Sequence, residues 1–335
     1  MTQIEMCRIQ VLGADVRKTV LVTGATGFIG ACLTRRLVEM KWDVHVVSKG
    51  ASNKWRIGDL LGSLVEHESD LRDRKRLSRI VLEVQPTIIY HLATYGAYHF
   101  QNDVENIMTT NIDGTLNLLA ACSEVGFDHF VVAGSSSEYG MKNHPMKETD
   151  VLEPTDFYGV AKAAATLSCM CLAKLRNLPI SILRLFAVYG YYEAHTRLIP
   201  TVIKASLLGE NPRLVSPSSV RDFIFVEDVI DAFLKAASVR KELCGEIYNV
   251  GFGKQYTTLE VVSKIIELVG ANVRPMWGHA EPRQKQEPKL WVSDPSKIRR
   301  CLGWKPKYGL ERGLGKTIEW FRRNLQLYRH DKGIA

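Results

Sequence analysis

The chain has 335 residues, of which 46% are hydrophobic and 24% charged, a composition typical of ordinary globular proteins. This length suffices for one large α/β unit or for two lobes. No apolar run is long enough to span a membrane, and residues 1–17 lack the apolar centre of a signal peptide, so we expect a cytoplasmic protein with no membrane partner.

The net charge is +8, from 44 basic and 36 acidic residues. Such a surplus suits an anionic ligand or a nucleic acid. The basic residues are spread out, however, and they are not interleaved with aromatic residues. We therefore interpret the basic C-terminal tail as a solvated helix face and expect no nucleic-acid partner. The seven cysteines have no metal-like pairing, which indicates reduced thiols and no metal site.

Residues 19–30 predict a short apolar strand that runs into a glycine-rich turn and then a helix. Gly24 permits the tight turn, Gly27 lets the backbone approach a pyrophosphate, and Gly30 lets the helix pack on the sheet. The unpaired N–H groups at the helix start favour bound phosphate. The pattern predicts a dinucleotide site, the alternative being a structural turn.

Strand and helix patterns then alternate along the chain. Strands are predicted at 20–23, 44–48, 64–68, 87–91, 129–133 and 180–185. Helices are predicted at 28–40, 74–84, 105–125 and 157–176, and later at 198–208, 229–237, 258–269 and 311–327, with a strand at 223–226 and a loop at 275–288. This alternation predicts a doubly wound parallel sheet of Rossmann type with a smaller C-terminal α/β lobe. We place the dinucleotide-binding domain at 18–190 and the substrate lobe at 191–330, with 221–250 returning to the core.

Two residues of the predicted helix at 157–176 carry acid–base chemistry. Tyr158 and Lys162 lie four residues apart, so their side chains share one face. A lysine ammonium favours the phenolate, and such a pair can exchange a proton with a sugar hydroxyl or carbonyl. A simple helix-surface pair is the alternative. Ser135 follows a strand that ends at the same edge of the sheet, where its hydroxyl can bind a substrate carbonyl.

Ten segments in a fixed order resemble the extended short-chain dehydrogenases/reductases of the NAD-dependent epimerase/dehydratase family, over residues 19 to about 320. The segments are TGATGFIG (23–30), DL (70–71), HLAT (91–94), TNIDGTLNLL (110–119), GSSSEYG (134–140), YGVAK (158–162), RLFAVYG (184–190), RDFIFVEDV (221–229), YNVGFG (248–253) and LGWKP (302–306).

The resemblance implies roles for matching residues. The catalytic group would be Ser135, Tyr158 and Lys162. The cofactor would be bound by Gly24, Thr26, Gly27, Phe28, Ile29, Gly30, Ser48, Lys49, Asp70, Leu71, Leu92, Ala93, Thr94, Asn111, Tyr158 and Lys162. A nucleotide-sugar substrate would be bound by Ser136, Ser137, Arg221, Arg283 and Tyr98. Ser136 and Ser137 are also rivals of Ser135 for the catalytic position, and Tyr189 is a further substrate-facing candidate.

Three departures from the family pattern narrow the expected reaction. The second strand ends in Ser48 and Lys49 where NAD-binding relatives usually have an acid, which favours NADP(H), with NAD(H) as the alternative; Lys54 and Arg56 are other possible phosphate ligands. Glu138 stands one position later than the acid of the family's 4,6-dehydratases, which disfavours dehydration. Ala187 and Tyr191 replace an Asn and a Pro, which puts the substrate phosphate contacts in doubt.

The leading hypothesis is an NADP(H)-dependent 4-ketoreductase acting on a nucleotide-activated 4-keto-6-deoxyhexose. The alternative is a 4-epimerase that keeps NAD. A third, less favoured hypothesis is a non-catalytic family member that binds NADP(H) or RNA. The resemblance also implies a homodimer, formed by a four-helix bundle from the helices predicted at 105–125 and 157–176.

Overall fold

A computed structural model describes residues 18–98, 100–238, 245–279 and 288–328. Its main element is a seven-stranded parallel sheet with the strand order β10-β6-β5-β4-β1-β2-β3. The strands, in chain order, are β1 Thr19–Thr23, β2 Asp43–Ser48, β3 Val65–Glu68, β4 Ile88–His91, β5 His129–Ser135, β6 Ile180–Leu185, β7 Ala187–Tyr189, β8 Arg213–Leu214, β9 Val220–Phe225, β10 Glu246–Val250, β11 Gln255–Thr257 and β12 Met276–Trp277. The predicted parallel sheet is confirmed.

Helices cover both faces of this sheet. They are α1 Phe28–Glu39, α2 Arg74–Val84, α3 Val104–Met108, α4 Gly114–Val125, α5 Phe157–Arg176, α6 Leu198–Leu208, α7 Val226–Ala236, α8 Thr258–Val269, α9 Ser296–Leu302 and α10 Leu310–Asn324. Within the described ranges, none of them is both long and apolar enough to cross a bilayer.

The side chains of β1 alternate between two buried layers, as expected for a strand covered on both faces. Val20 and Val22 pack in one hydrophobic cluster, and Leu21 packs in the other. The chain reverses its direction of travel across the sheet between β1 and β4. In such sheets the crevice at the carboxyl ends of the strands on either side of this reversal binds ligands.

The C-terminal part contains elements that the periodicity did not predict. Strand β10 adds to the large sheet beside β6, and β7, β9 and β11 form a separate three-stranded sheet. The predicted loop at 275–288 was wrong at its start, because β12 pairs with β8; residues 280–287 lie outside the described part. Apart from the six-residue β9, part of which was predicted at 223–226, these strands are only two to five residues long, too short to show a period. The domain boundary near residue 190 stays a prediction.

The helix predicted at 105–125 is continuous but irregular. It consists of α3, a π-helical turn at Thr109–Asp113 and α4. Such single π turns are frequent at functional sites. Here the turn contains Asn111, whose side chain holds a loop of the candidate site.

Candidate active site

The glycine-rich turn between β1 and α1 has no room for side chains. Gly24 has a φ of +76°, and a Cβ on it would lie 2.5 Å from the backbone nitrogen of Ala93 and against the carbonyl carbon of Leu92. A Cβ on Gly30 would overlap the carbonyl oxygen of Gly24. Helix α1 begins after Gly27 with no side-chain cap and no acidic residue in its first turn. This uncapped helix start fits the diphosphate of a dinucleotide.

The other predicted residues of the turn take different positions. Phe28 and Ile29 are half-buried and pack on the core, so only their backbone N–H groups are placed to meet a phosphate. The carbonyl of Thr26 accepts a hydrogen bond of 3.3 Å from Arg56, whose Nε also donates to the carbonyl of Tyr192 at 2.7 Å. Arg56 is buried and thus ties the turn to two other loops.

Asn111 organises the loop that follows β4. Its side-chain nitrogen donates to the carbonyls of Tyr95 and Ile107 at 2.7 and 2.9 Å. Its oxygen accepts from the Thr94 hydroxyl at 2.8 Å and from the Tyr95 N–H at 3.1 Å. The amide is therefore fully engaged within the protein, and any effect of Asn111 on a cofactor passes through this loop.

A buried polar chain connects the ends of β1 and β4 with α4. His91 Nδ1 lies 2.7 Å from the Thr23 hydroxyl, and its Nε2 lies 2.8 Å from the Thr115 hydroxyl. Thr115 donates onward to the carbonyl of Asn111 at 2.6 Å, which makes Nε2 the protonated ring nitrogen. Burial, together with the charge of Lys162, lowers the pKa of His91 to about 3. The imidazole is thus neutral and serves as a fixed link.

The serine cluster at the end of β5 is a short helical turn, Ser136–Glu138, capped by Ser135. The Ser135 hydroxyl accepts the Ser137 N–H at 3.1 Å, which leaves its hydrogen to be donated elsewhere. Glu138 accepts the Ser135 N–H at 2.8 Å and the Arg184 Nε at 2.8 Å. Both charged side chains are at most 1% exposed. The Glu138 carboxylate is therefore a structural brace for Ser135.

Tyr158 and Lys162 lie in the first two turns of α5. The helix begins at the Asp156 cap, whose carboxylate accepts the Gly159 N–H at 2.7 Å. Lys162 is buried, and its Nζ donates to the carbonyl of Ala133 on β5 at 2.5 Å. Burial lowers the pKa of this lysine. Tyr158 is half-buried. Lys162 thus faces the end of β5, from which Ser135 also projects.

At the end of β2, Ser48 meets a carboxylate from the next strand. Its hydroxyl donates to Glu66 Oε1 at 2.5 Å, and Lys54 Nζ lies 2.8 Å from the same oxygen and 2.9 Å from Oε2. These hydrogen bonds, from Lys54 first and Ser48 second, lower the pKa of Glu66. Glu66 was not predicted as a site residue, since nothing in the β3 sequence shows which residue of β2 its side chain would meet.

Lys49 and Asp70, both predicted cofactor residues, form an ion pair of 3.1 Å. Asp70 also accepts two bonds from the Arg72 side chain, which, with Lys49, hold its pKa well below the usual range. Leu71 is buried against Gly114 at the start of α4. Lys49 is therefore paired with an acid of this same edge, which it shares with Arg72.

Arg221 and Ser136 are both in contact with Trp291. The Arg221 guanidinium lies over the Trp291 ring, 5.6 Å from its centroid, and its Nη1 donates to the carbonyl of Val220 at 2.7 Å. The Trp291 indole N–H donates to the Ser136 hydroxyl at 3.2 Å. Trp291 was not predicted as a site residue, because it lies outside every segment that resembles the family. Arg283 lies outside the described residues.

The buried carboxylate of Asp222 positions this tryptophan. It accepts the backbone N–H groups of Phe252, Gly253 and Ser293 at 2.8 to 3.0 Å, and the Ser293 hydroxyl. The segment that carries Trp291 is thereby held on β9, the strand of Arg221.

The aromatic candidates separate into two groups. The Tyr98 ring stacks under the Arg197 guanidinium at 4.9 Å and remains half-buried. Tyr189, in contrast, is only 1% exposed, and its hydroxyl donates to the carbonyl of Leu310. The suggestion that Tyr189 faces substrate was wrong, because its ring fills the core. Tyr191 likewise turns inward and donates to Glu227 at 3.0 Å.

Two further features concern metals and thiols. No group of three or more His, Cys, Asp or Glu side chains converges as a metal site within the residues that the structure describes. Five cysteines in those residues are free thiols, and burial raises the pKa of Cys169 to about 12. Cys171, two positions later on α5, is exposed.

Comparison with known proteins identifies the family. Residues 20–251 match the model of the NAD dependent epimerase/dehydratase family. The chain is 29% identical to the low-salt glycan biosynthesis protein Agl12 of Haloferax volcanii, over 90% of this chain and 98% of that protein. It superimposes with a TM-score of 0.84 on a Thermotoga maritima UDP-glucose 4-epimerase solved with UDP-glucose, at 28% identity and covering 91% and 99% of the two chains. MoeE5, solved with UDP-glucose and NAD, is 32% identical over 91% of this chain and 99% of its own, with a TM-score of 0.81. The chain therefore belongs to the NAD dependent epimerase/dehydratase family of enzymes.

Proposed function

We propose that this enzyme is a nucleotide-sugar 4-epimerase that retains NAD, with Ser135, Tyr158 and Lys162 as its catalytic residues. The observation that carries the proposal is the state of Glu138. A dehydratase needs an acid–base group beside the catalytic serine to remove a second proton from the sugar ring. Glu138 is instead buried and bound to Arg184 and to the Ser135 N–H. This arrangement argues against dehydration and favours a reaction at C4 in which no water is lost.

The residues of the site suit that chemistry. A bound NAD⁺ would supply the hydride acceptor for C4 and the hydride that is returned to the opposite face of the ketone. Tyr158 takes the proton of the C4 hydroxyl and later gives it back, as a general base and then a general acid. The Lys162 ammonium favours the phenolate of Tyr158. The Ser135 hydroxyl donates to the C4 oxygen and stabilises the carbonyl form, while the keto sugar must still be able to turn its other face toward the hydride.

The cofactor end of the site favours the epimerase over a reductase. An epimerase regains its cofactor in each cycle, whereas a reductase must bind fresh NAD(P)H. Lys49, which would have to neutralise a 2′-phosphate of NADP(H), is paired with Asp70 at 3.1 Å. Relatives such as MoeE5, whose structure contains NAD and UDP-glucose, support the same cofactor and a nucleotide-sugar substrate.

A test combines cofactor content with turnover. The purified enzyme should release NAD on denaturation and should interconvert UDP-glucose and UDP-galactose, followed by NMR, without added cofactor. Tyr158→Phe should lower kcat at least ~100-fold, because the general acid–base is lost, with bound NAD unchanged. Tyr308→Phe, outside the site, is the matched control. Wild-type turnover by Tyr158→Phe would refute the catalytic assignment.

The second candidate is the NADP(H)-dependent 4-ketoreductase. It is favoured by the absence of a carboxylate at the C-terminal end of β2, where Ser48 stands. It predicts a protein that is purified without a dinucleotide and that consumes NADPH when given a nucleotide-linked 4-keto-6-deoxyhexose. Detection of that consumption, without epimerisation, would replace the first proposal with this one.

We also propose that the chain forms a homodimer through a four-helix bundle. One face of α5 exposes an apolar stripe of Phe157, Val160, Leu167 and Leu175, with Leu175 77% exposed. Residues at this spacing share one helix face, and such a stripe is typical of a subunit contact. Leu167→Glu should convert the dimer to a monomer in light-scattering chromatography. Leu82→Glu, on α2, should not; a dimer that survives Leu167→Glu would exclude this interface.

A further inference from the structure

The adenosine-ribose end of the cofactor site contains an acid that comes from an unexpected strand. β2 ends in Ser48 beside β1, the strand of the glycine-rich turn. The carboxylate of Glu66, on β3, reaches back to within 2.5 Å of the Ser48 hydroxyl. The end of β2 itself offers only the Ser48 hydroxyl. The neighbouring strand β3 therefore supplies the carboxylate at this position.

The Glu66 carboxylate is held in place and remains able to accept. Lys54 Nζ, from the loop after β2, lies within 2.9 Å of both carboxylate oxygens, and Ser48 donates to one of them. A carboxylate has about four acceptor positions, so capacity is left for a ligand hydroxyl. Its side chain is 23% exposed, so it remains partly accessible to solvent.

The two neighbouring lysines, Lys49 and Lys54, already form ion pairs with carboxylates. Lys54 is paired with Glu66, and Lys49 is paired with Asp70, which it shares with Arg72. A 2′-phosphate placed at Ser48 would lie close to the Glu66 carboxylate. Lys49 and Lys54, which could attract it, are already paired with carboxylates. Like charges brought together in a partly dry site are strongly disfavoured.

We propose that Glu66, presented by Ser48 and Lys54, accepts the 2′-hydroxyl of the adenosine ribose and excludes a 2′-phosphate, and thereby selects NAD over NADP. This inference rests on the proposed use of a dinucleotide at this site. Glu66 would be a specificity residue for the cofactor and would take no part in the proton transfers.

Binding measurements on the cofactor-free enzyme test this proposal without reference to turnover. The dissociation constants of NAD⁺ and NADP⁺ are measured by calorimetry for wild type and Glu66→Gln. Wild type should prefer NAD⁺. Glu66→Gln should shift the ratio of the two constants at least ~10-fold toward NADP⁺, because the repelling charge is gone. Glu83→Gln, an equal charge change on α2, should shift it less than ~2-fold.

Two further variants test the direction of the shift and whether the preference for NAD⁺ can be restored. Lys54→Met leaves the carboxylate without its cation, so it should move the ratio the opposite way, toward NAD⁺. Ser48→Asp, added to Glu66→Gln, restores an acid at the strand end and should recover the preference for NAD⁺.

The outcomes separate this inference from the proposed function. A ratio that Glu66→Gln leaves unchanged while NAD⁺ still binds would overturn the role of Glu66 alone. A wild-type preference for NADP⁺ would overturn both the role of Glu66 and the proposed retention of NAD. A wild-type protein that binds neither dinucleotide would instead overturn the proposed function. Opposite shifts in Glu66→Gln and Lys54→Met would support the inference, and if one variant proved unstable, the direction of the shift in the other would still test it.

Discussion

Two sets of side chains on either side of the crevice each contain a serine, a glutamate and a basic residue, but they differ in their exposure to water. Ser135, Glu138 and Arg184 stand at the ends of β5 and β6, and their charged groups are at most 1% exposed. Ser48, Glu66 and Lys54 stand beside β2 and β3, with Glu66 and Lys54 23% and 34% exposed. Each set binds a glutamate to a serine and a cation.

The difference in burial gives the two sets different uses. A buried ion pair holds its geometry because loss of either partner leaves an unpaired charge in a dry environment. The Glu138–Arg184 pair therefore suits a permanent brace beneath Ser135. A partly exposed pair costs little to rearrange, because water replaces the missing partner. The Glu66–Lys54 pair can therefore meet a ligand and be altered without loss of the fold.

Breaking the buried set should have the largest effect on stability. Arg184→Met leaves Glu138 charged and unpaired in the core, so the free energy of unfolding in urea should fall by about 3–5 kcal/mol. A loss below about 1 kcal/mol would show that the brace carries little energy. The double variant Glu138→Gln/Arg184→Met should cost less than the sum of the two single variants, because the unpaired charge is gone.

The buried His91 should make the free energy of unfolding depend on pH. Its pKa is about 3 when folded and about 6.5 when unfolded, so between these values only the unfolded chain binds the proton. The unfolding free energy should therefore decrease as pH falls from 6 to 4, with His91 contributing about 1.4 kcal/mol per pH unit. In His91→Gln that contribution should vanish.

Denaturation of both proteins across this pH range measures the effect. Above pH 7 the two curves should run parallel, because the imidazole is neutral in both states. Equal slopes below pH 6 would mean that His91 becomes protonated without unfolding.

Breaking the set of Ser48, Glu66 and Lys54 should have the smallest effect on the free energy of unfolding. Lys54→Met removes a pair screened by water, so its cost to the unfolding free energy should stay below about 1 kcal/mol and should shrink further in 0.5 M salt. The same urea titration that is used for Arg184→Met gives the comparison. Equal losses in the two variants would contradict the distinction between a dry and a wet set.

Much of the site was predictable because its signals are local. The glycine-rich turn needs small residues at three fixed positions, and the structure shows the overlaps that larger residues at Gly24 and Gly30 would cause. Tyr158 and Lys162 share a face because of helix geometry alone. Their catalytic roles stay predictions, as do the substrate contacts.

The remainder depends on contacts between distant segments. Glu66 lies 18 residues from Ser48, Arg184 lies 46 residues from Glu138, and Trp291 lies 155 residues from Ser136. Short strands such as β10 and β12 likewise form because a neighbouring strand offers hydrogen bonds, without a period of their own.

The sequence by itself determined the parallel α/β fold, the phosphate-binding turn and the family, because strand, helix and turn preferences act over a few residues. Only the tertiary structure decided which charges are neutralised. Parallel pairing of β2 with β3 places Glu66 opposite Val46, from where its side chain reaches Ser48, and the pairing of β5 with β6 places Arg184 beside the strand end that leads to Glu138. The identity of a residue gives its charge, but its partners and its exposure to water determine what that charge does.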